Sequence, residues 1–514
     1  MKRKIKQGNG LRGTLLFICL LMPVLPAAAA GPGQASPEPP AMVQGPADPD
    51  CDPAWKTQKL TFVHVGDLHA NFELPEDKYS RIRAYYKETR KKNPFTLFTN
   101  AGDDHEKGSL AEHYTQGQVI LEATAAMDFD VRNLGNHDFA WGEKHTLDFS
   151  RDARALVLAS NTRYTGDDSG AFGGREFGIL KVGCLRVGFF GMVGPPWNEL
   201  NEFHEDDYFP AFHTSYDYAD TARRLVEAHR GEVDVMVMLS HLKAGDDIRV
   251  TQAVPGIDLV LGGHSHGGPR LTKVGKTLVL QPDYYGESLT RVDMVVDLAS
   301  RKVSSSKRSE QRVNRLTQVD PAVHQVIAAL LAKYAPDARK PVAYLKSSQN
   351  SRETALLAAQ AAIARHKADA ALLDPGLGNF HHPLLLGRVT PQILVSFYSN
   401  ERQKPGTPGW TSFYLAEVSG ADLQAMRARQ GKWVYSGPAS PDPGGTYRLV
   451  LQKGAALNPG IFFPASVKLG AVSFLAEAWE TMAAYGADRN AACLYMNTDK
   501  SIPGCIPRGL TANK

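Results

Sequence analysis

Several features are scarce in this 514-residue chain, and each scarcity removes a class of protein. Its five cysteines include no Cys-x-x-Cys pair and no catalytic context, which argues against a cysteine enzyme. The apolar run Leu15 to Leu25 is well short of the roughly 20 residues that cross a bilayer as a helix. There is no internal repeat and no sustained heptad, so neither a solenoid nor a coiled coil is expected. A real excess of positive charge is missing too. The formal net charge of +4 comes from Lys2, Arg3, Lys4, Lys6 and Arg12 in a leading segment without Asp or Glu. Without that segment basic and acidic residues nearly balance, and no electrostatic case remains for nucleic acid or an acidic membrane as partner.

That leading segment has a purpose of its own. A positive start, a short apolar run and the small residues PAAAAG describe a secretory signal over residues 1–30. The expectation is a secreted or periplasmic protein, a monomer without a membrane anchor once the signal is removed. Residues 31–50, GPGQASPEPPAMVQGPADPD, are rich in Pro and Gly and poor in large apolar groups, as a flexible tether would be. Cys19 leaves with the signal, and Cys51, Cys184, Cys493 and Cys505 remain, with three possible pairings in an oxidising compartment. The loop-rich tail around Cys493 and Cys505 favours a local bridge there, with Cys51–Cys184 following by elimination.

The length suggests two domains, expected at 51–337 and 338–514. In the first, strand-length apolar runs alternate with amphipathic stretches such as Asp217 to His229, the pattern of a layered α/β fold. The basic stretch SRKVSSSKRSEQR reads as a surface loop or strand connection. Asp320-Pro321 opens a helix, PAVHQVIAALLAKY, and the Ala-Pro and Lys-Pro pairs behind it mark the boundary. The remainder reads as a second, smaller α/β domain: an Ala-rich helix from Glu353 to His366, short strands, and a helix from Val472 to Tyr485.

Chemistry gathers where the apolar runs of the first domain stop. LTFVHV is followed by GDLH, PFTLFTN by AGDD, FDVRNL by GNHD, VDVMVML by SH, and IDLVL by GGHSH. A lone Asp-x-His recurs by chance, and Gly-Asn-His-Asp suits an ordinary turn. Five such endings in one domain are another matter. If the five strands are parallel neighbours in an open sheet, their polar ends meet in the crevice beyond the carboxyl edge, where such folds bind ligands. Asp67, His69, Asp103, Asn136, His241, His264 and His266 are then seven N and O donors suited to divalent metals.

The motifs GDLH, AGDD, GNHD, SH and GGHSH, in this order, resemble those of the calcineurin-like metallophosphoesterases. GIDLVLGGHSH, LASNTRY and GNHDFAWG are similar to the 5′-nucleotidase branch, strongly across the first domain and weakly across the second. The resemblance implies a metallophosphatase-like layered β-sandwich flanked by helices, with a smaller α/β C-terminal domain. It also implies two divalent ions drawn from Zn, Mn, Fe and Co. One falls to Asp67, His69 and His266, the other to Asn136, His241 and His264, and Asp103 bridges them. The implied reaction is hydrolysis of a small nucleotide-type phosphate ester by a hydroxide between the metals. His137 matches the family histidine that stabilises the transition state or protonates the leaving oxygen.

Two departures qualify the match. The branch places an Asp three residues after that histidine, and here the position is Ala140, so His137 is expected to be less readily protonated. The family's substrate-binding Asn-Gly-Gly-x-x-Arg loop is replaced by DPGLGN, leaving Arg388 or Arg402 as substitutes and Phe397, Tyr398, Phe462 and Phe463 as candidate stacking residues. The alternatives are therefore a 2′,3′-cyclic-nucleotide phosphodiesterase with 3′-nucleotidase activity, a thiosulfohydrolase-like enzyme, and a metal-binding protein without turnover.

Overall fold

The computed structural model describes residues 43–44, 51–151, 154–164, 175–194, 212–376, 384–397, 407–409, 411–428 and 433–505. The expected signal, most of the tether, Tyr398 and Arg402 lie outside them. The described residues form one compact unit.

Two sheets make its first part. One has six strands, with Thr57–Val65, Thr96–Asn100, Val131–Asn133 and Leu156–Leu158 running parallel. Ser288–Asp297 adds to it antiparallel beside Thr57–Val65. In the other, of seven strands, Leu185–Val193, Val235–His241, Leu259–Gly262 and Thr277–Gln281 run parallel. The five runs singled out above therefore divide, three to one sheet and two to the other. The five are not neighbours in a single open sheet, and the layered β-sandwich expected of the first domain is what forms. Both faces of these strands are buried, one against the opposite sheet and one against helices. Leu60, Phe62, Leu97, Val237, Leu239, Leu259 and Leu261 pack between the sheets, each stabilising by about 1.5–3 kcal/mol relative to exposure. Val63, Val65 and Phe98 face outward onto helices, as Met236, Met238 and Val260 do on the other sheet. The result is a helix–sheet–sheet–helix sandwich.

Helix boundaries follow local chemistry. Tyr218–His229 starts where the Asp217 carboxylate accepts from the Asp220 N–H, and Pro321–Tyr334 is capped by Asp320 with proline in its first turn. Ser351–His366 opens with a reciprocal Asn350/Glu353 cap. Two expectations need correction. The basic stretch is a strand, Lys302–Arg312, pairing along its length with Ser288–Asp297 as a charged sheet edge that discourages further pairing. Val472 to Ala476 belongs to a strand, Leu469–Ala476, that pairs with Phe413–Ser419, and the helix begins only at Ala478.

A mixed five-stranded sheet of Ala370–Leu373, Phe413–Ser419, Val434–Ser436, Thr446–Gln452 and Leu469–Ala476 organises the C-terminal part. Disulfides join Cys51 to Cys184 and Cys493 to Cys505. Among the described residues no helix is long and apolar enough to cross a membrane.

Candidate metal centre

Both sheets deliver their strand ends to the same place. One ligand atom each from Asp67, His69, Asp103 and His266, and likewise from Asp103, His241 and His264, lie within 4.8 Å of one another, so the two groups share Asp103. Forming this cluster requires unusual backbone. Asp67, His69, Asp103, His264 and His266 have positive φ, at 53°, 45°, 58°, 72° and 44°. For residues with a Cβ the left-handed region costs roughly 1–2 kcal/mol each. Such strain persists where surrounding structure imposes it, and it gathers at functional sites. The turns close on glycine. A Cβ on Gly135 would lie 2.1 Å from Asp103 Oδ1, so only glycine lets the GNHD turn approach that carboxylate.

Hydrogen bonds fix which atoms face inward. His69 Nδ1 lies 2.9 Å from the His105 carbonyl and His241 Nδ1 3.0 Å from the Ala101 carbonyl, so each ring donates outward and turns its Nε2 lone pair to the centre. There acceptor meets acceptor. His241 Nε2 stands 2.9 Å from Asp103 Oδ2, and His69 Nε2 lies 3.1 Å from His266 Nε2, itself 3.1 Å from Asp67 Oδ1. The buried Asn136 Oδ1 has no hydrogen-bond donor. A cluster of facing lone pairs is unstable unless protons or cations lie between them. Burial pushes the His241 pKa down, but Asp103 and Asp67 outweigh it and lift it to about 9, so the two carboxylates favour positive charge at this point. Imidazole, carboxylate and amide oxygen donors fit divalent cations.

His137 lies at the rim. Its N–H donates to Asp103 Oδ1 at 2.8 Å and its ring meets His69 edge to face at 5.0 Å. The expectation that it lacks a carboxylate partner is overturned, since Nδ1 lies 2.5 Å from Glu106 Oε2. Burial and the nearby Lys107 ammonium lower its pKa, but Asp103 and Glu106 outweigh them and the net shift is upward. Asp138 is occupied elsewhere, accepting from the backbone N–H groups of Asp103, Asp104 and Gly135 and bonding His105 Nδ1.

Sequence reasoning missed Glu106, although it lies three residues beyond Asp103 in the same loop. It also missed Tyr284 and Tyr285. Tyr284 stacks flat on the His266 ring at 4.7 Å, and the Tyr285 N–H donates to the Asp67 carbonyl at 2.7 Å. The DYYG run after strand Thr277–Gln281 was the available signal. Of the expected substrate residues, Arg388 is exposed on strand Gly387–Val389, and Phe462 packs edge-on against Trp433 at 6.3 Å. Phe463 is buried in the same cluster. Phe397 ends helix Pro391–Phe397, with its side chain outside the described residues. Gln392 and Ser396 of that helix bond Gly108, which brings the C-terminal part against the Glu106 loop.

Residues 60–268 match the family model of the calcineurin-like phosphoesterases. The chain is 24% identical over 312 residues to a snake venom 5′-nucleotidase of Naja atra, covering 53% of this chain and 56% of that protein. It thus spans about half the length of the curated relatives it matches. A 5′-nucleotidase precursor from Thermus thermophilus superposes with TM-score 0.63 at 18% identity, over 84% of this chain and 96% of that one. A Thermus thermophilus sulfate thiohydrolase does so with TM-score 0.61 at 16% identity, over 85% and 95%. At such identities the structural likeness is one of fold. The family likeness is thus to residues 60–268, which hold all seven candidate ligands, and not to the whole chain.

Proposed function

We propose that the protein is a secreted or periplasmic, metal-dependent phosphoric ester hydrolase that acts on small nucleotide-type phosphate esters. The observation that carries this reading is the ring of inward-facing donors shared through Asp103, whose imidazole, carboxylate and amide oxygen atoms suit divalent cations. Asp67, His69, His266 and Asp103 would hold one divalent ion. Asn136, His241, His264 and Asp103 would hold a second. Bound there, the pair supplies Lewis acidity toward phosphoryl oxygens and acidifies water.

The chain's own residues do the rest. His137, only 12% exposed and hydrogen-bonded on one side, presents its free ring edge to the rim, where a leaving oxygen would develop charge. Tyr284 keeps the His266 ring from turning. Residues 338–514 would close the substrate side, and Arg388, four residues before the Gln392 contact to Gly108, is the candidate phosphate or ribose partner from that part. The two disulfides support an oxidising compartment.

The test is a substrate panel on purified protein loaded with Mn or Zn: 5′-AMP, 3′-AMP, 2′,3′-cyclic AMP, a UDP-sugar and bis-p-nitrophenyl phosphate. Phosphate release from at least one mononucleotide is expected. Protein that binds the metals and hydrolyses none of the panel would refute the reading.

A further inference from the structure

The 5′-nucleotidase-like histidine at position 137 lacks a carboxylate at position 140, where the buried Ala140 has only a methyl group to offer. A different loop fills that place. Glu106 and Lys107 are consecutive left-handed residues, with φ of 67° and 71°, and their turn carries the Glu106 side chain back over the GNHD segment. The loop is clamped on every side. Glu112 Oε1 accepts from the Glu106 N–H at 2.7 Å and from Trp141 Nε1 at 3.0 Å, which ties the loop to the chain just after His137. A Cβ on Gly108 would lie 2.1 Å from the His69 carbonyl, so the loop's far end lies directly on a candidate ligand.

Held this way, Glu106 Oε2 meets His137 Nδ1 at 2.5 Å with its own side chain only 1% exposed. An ionised carboxylate accepts and does not donate, so the ring proton sits on Nδ1 and Nε2 is left for the site. We infer that Glu106 is the positioning residue for His137: it fixes the Nδ1–H tautomer and aims Nε2 at the ester, taking over from the carboxylate absent at position 140. This rests on the phosphoesterase reading for its consequence in turnover, while the tautomer it predicts is independent of that reading. The exchange also alters the surroundings, because the carboxylate now arrives on the loop that carries Asp103 and touches the C-terminal part through Gly108.

The experiment uses the full chain and two readouts. In long-range proton–nitrogen NMR of histidine-labelled protein, with His137→Ala assigning the ring and the pH raised until the ring is neutral, wild type should show a single Nδ1–H tautomer. Glu106→Ala should lose it, and Glu106→Gln, whose amide oxygen also accepts, should retain it. In kinetics, Glu106→Ala should lower kcat about 10- to 100-fold, as loss of an orienting partner does, with KM changed less than threefold and metal content intact. In a His137→Ala background the same substitution should have no further effect, because a residue acting only through the ring has nothing left to act on. An equal loss of activity in both backgrounds, or an unchanged His137 tautomer in Glu106→Ala, would overturn the assignment. A wild type inert on the whole panel would refute the phosphatase reading instead, and the NMR comparison would still decide the role of Glu106.

Discussion

Strands end in polar side chains in both parts of the molecule, but the two parts use them in opposite ways. In the C-terminal sheet Gln452 Oε1 accepts from the Asp374 N–H, Asp374 Oδ1 from the Gly376 N–H, and Glu477 Oε1 from the Gly409 N–H. These groups hold their own loops. In the sandwich, His69 and His241 also anchor one nitrogen to backbone, yet the other faces a neighbouring acceptor, and Asn136 Oδ1 faces no donor. A polar strand end that closes on its own chain is structure, and one left pointing at its equals is a site. Residue type does not separate the two, whereas the destination of the second polar atom does.

The largest effect should come from Asp103→Asn, which weakens the donor common to both groups. Activity is expected to fall by 10⁴-fold or more, on the order of the several kcal/mol of charge stabilisation that each cation supplies. Metal analysis of the purified variant should show less than the wild-type complement, and a full complement with full activity would mean that Asp103 is no more than another loop-holding carboxylate. His137→Ala comes next, with kcat lowered about 10²- to 10⁴-fold and both metals retained. Undiminished turnover would remove the ring from the mechanism.

Much of this contrast was legible in the sequence. Asp67, Asp103, Asn136, His241 and His264 each follow an apolar run at a turn, and the glycines beside them announce tight backbone. What could not be read was how the runs divide between sheets, since strands buried on both faces look alike whichever sheet they join. Glu106 was hidden because its function depends on two left-handed residues that reverse the loop, and neither is glycine. Lys302–Arg312 read as a loop for a related reason: an edge strand needs backbone partners on one side only, so its side chains are free to be charged.

The disulfides extend the comparison to stability. Cys51–Cys184 closes 133 residues around the sandwich, whereas Cys493–Cys505 closes 12 in the tail. Loop entropy gives about 5 kcal/mol for the first and about 3 for the second. Urea unfolding of the two double Cys→Ser variants should therefore show the greater loss for the sandwich bridge. The reverse order would mean that the segment before strand Thr57–Val65 contributes little to the cooperative unit.

The smallest predicted effect lies at the seam between the two parts. Glu73 is buried, accepts from Ser109 Oγ at 2.6 Å through Oε1, and has no partner for Oε2. Burial pushes its pKa up, the Ser109 bond and Arg339 pull it down, and the balance is about 7. The folded protein thus keeps a proton that the unfolded chain releases near the ordinary glutamate value. Because the native state binds more protons between about pH 4.5 and 7, stability contributed by this group falls as pH rises through that window and levels off above it. Glu73→Gln removes the titration, so it should flatten this part of the stability profile and stabilise by about 1 kcal/mol at pH 8, discounted for the amide it leaves unpaired. Urea midpoints at pH 5 and pH 8 measure it. A variant with the wild-type pH dependence would show that the Glu73 carboxyl is already ionised in the fold, and that the seam tolerates a buried charge as the metal centre does.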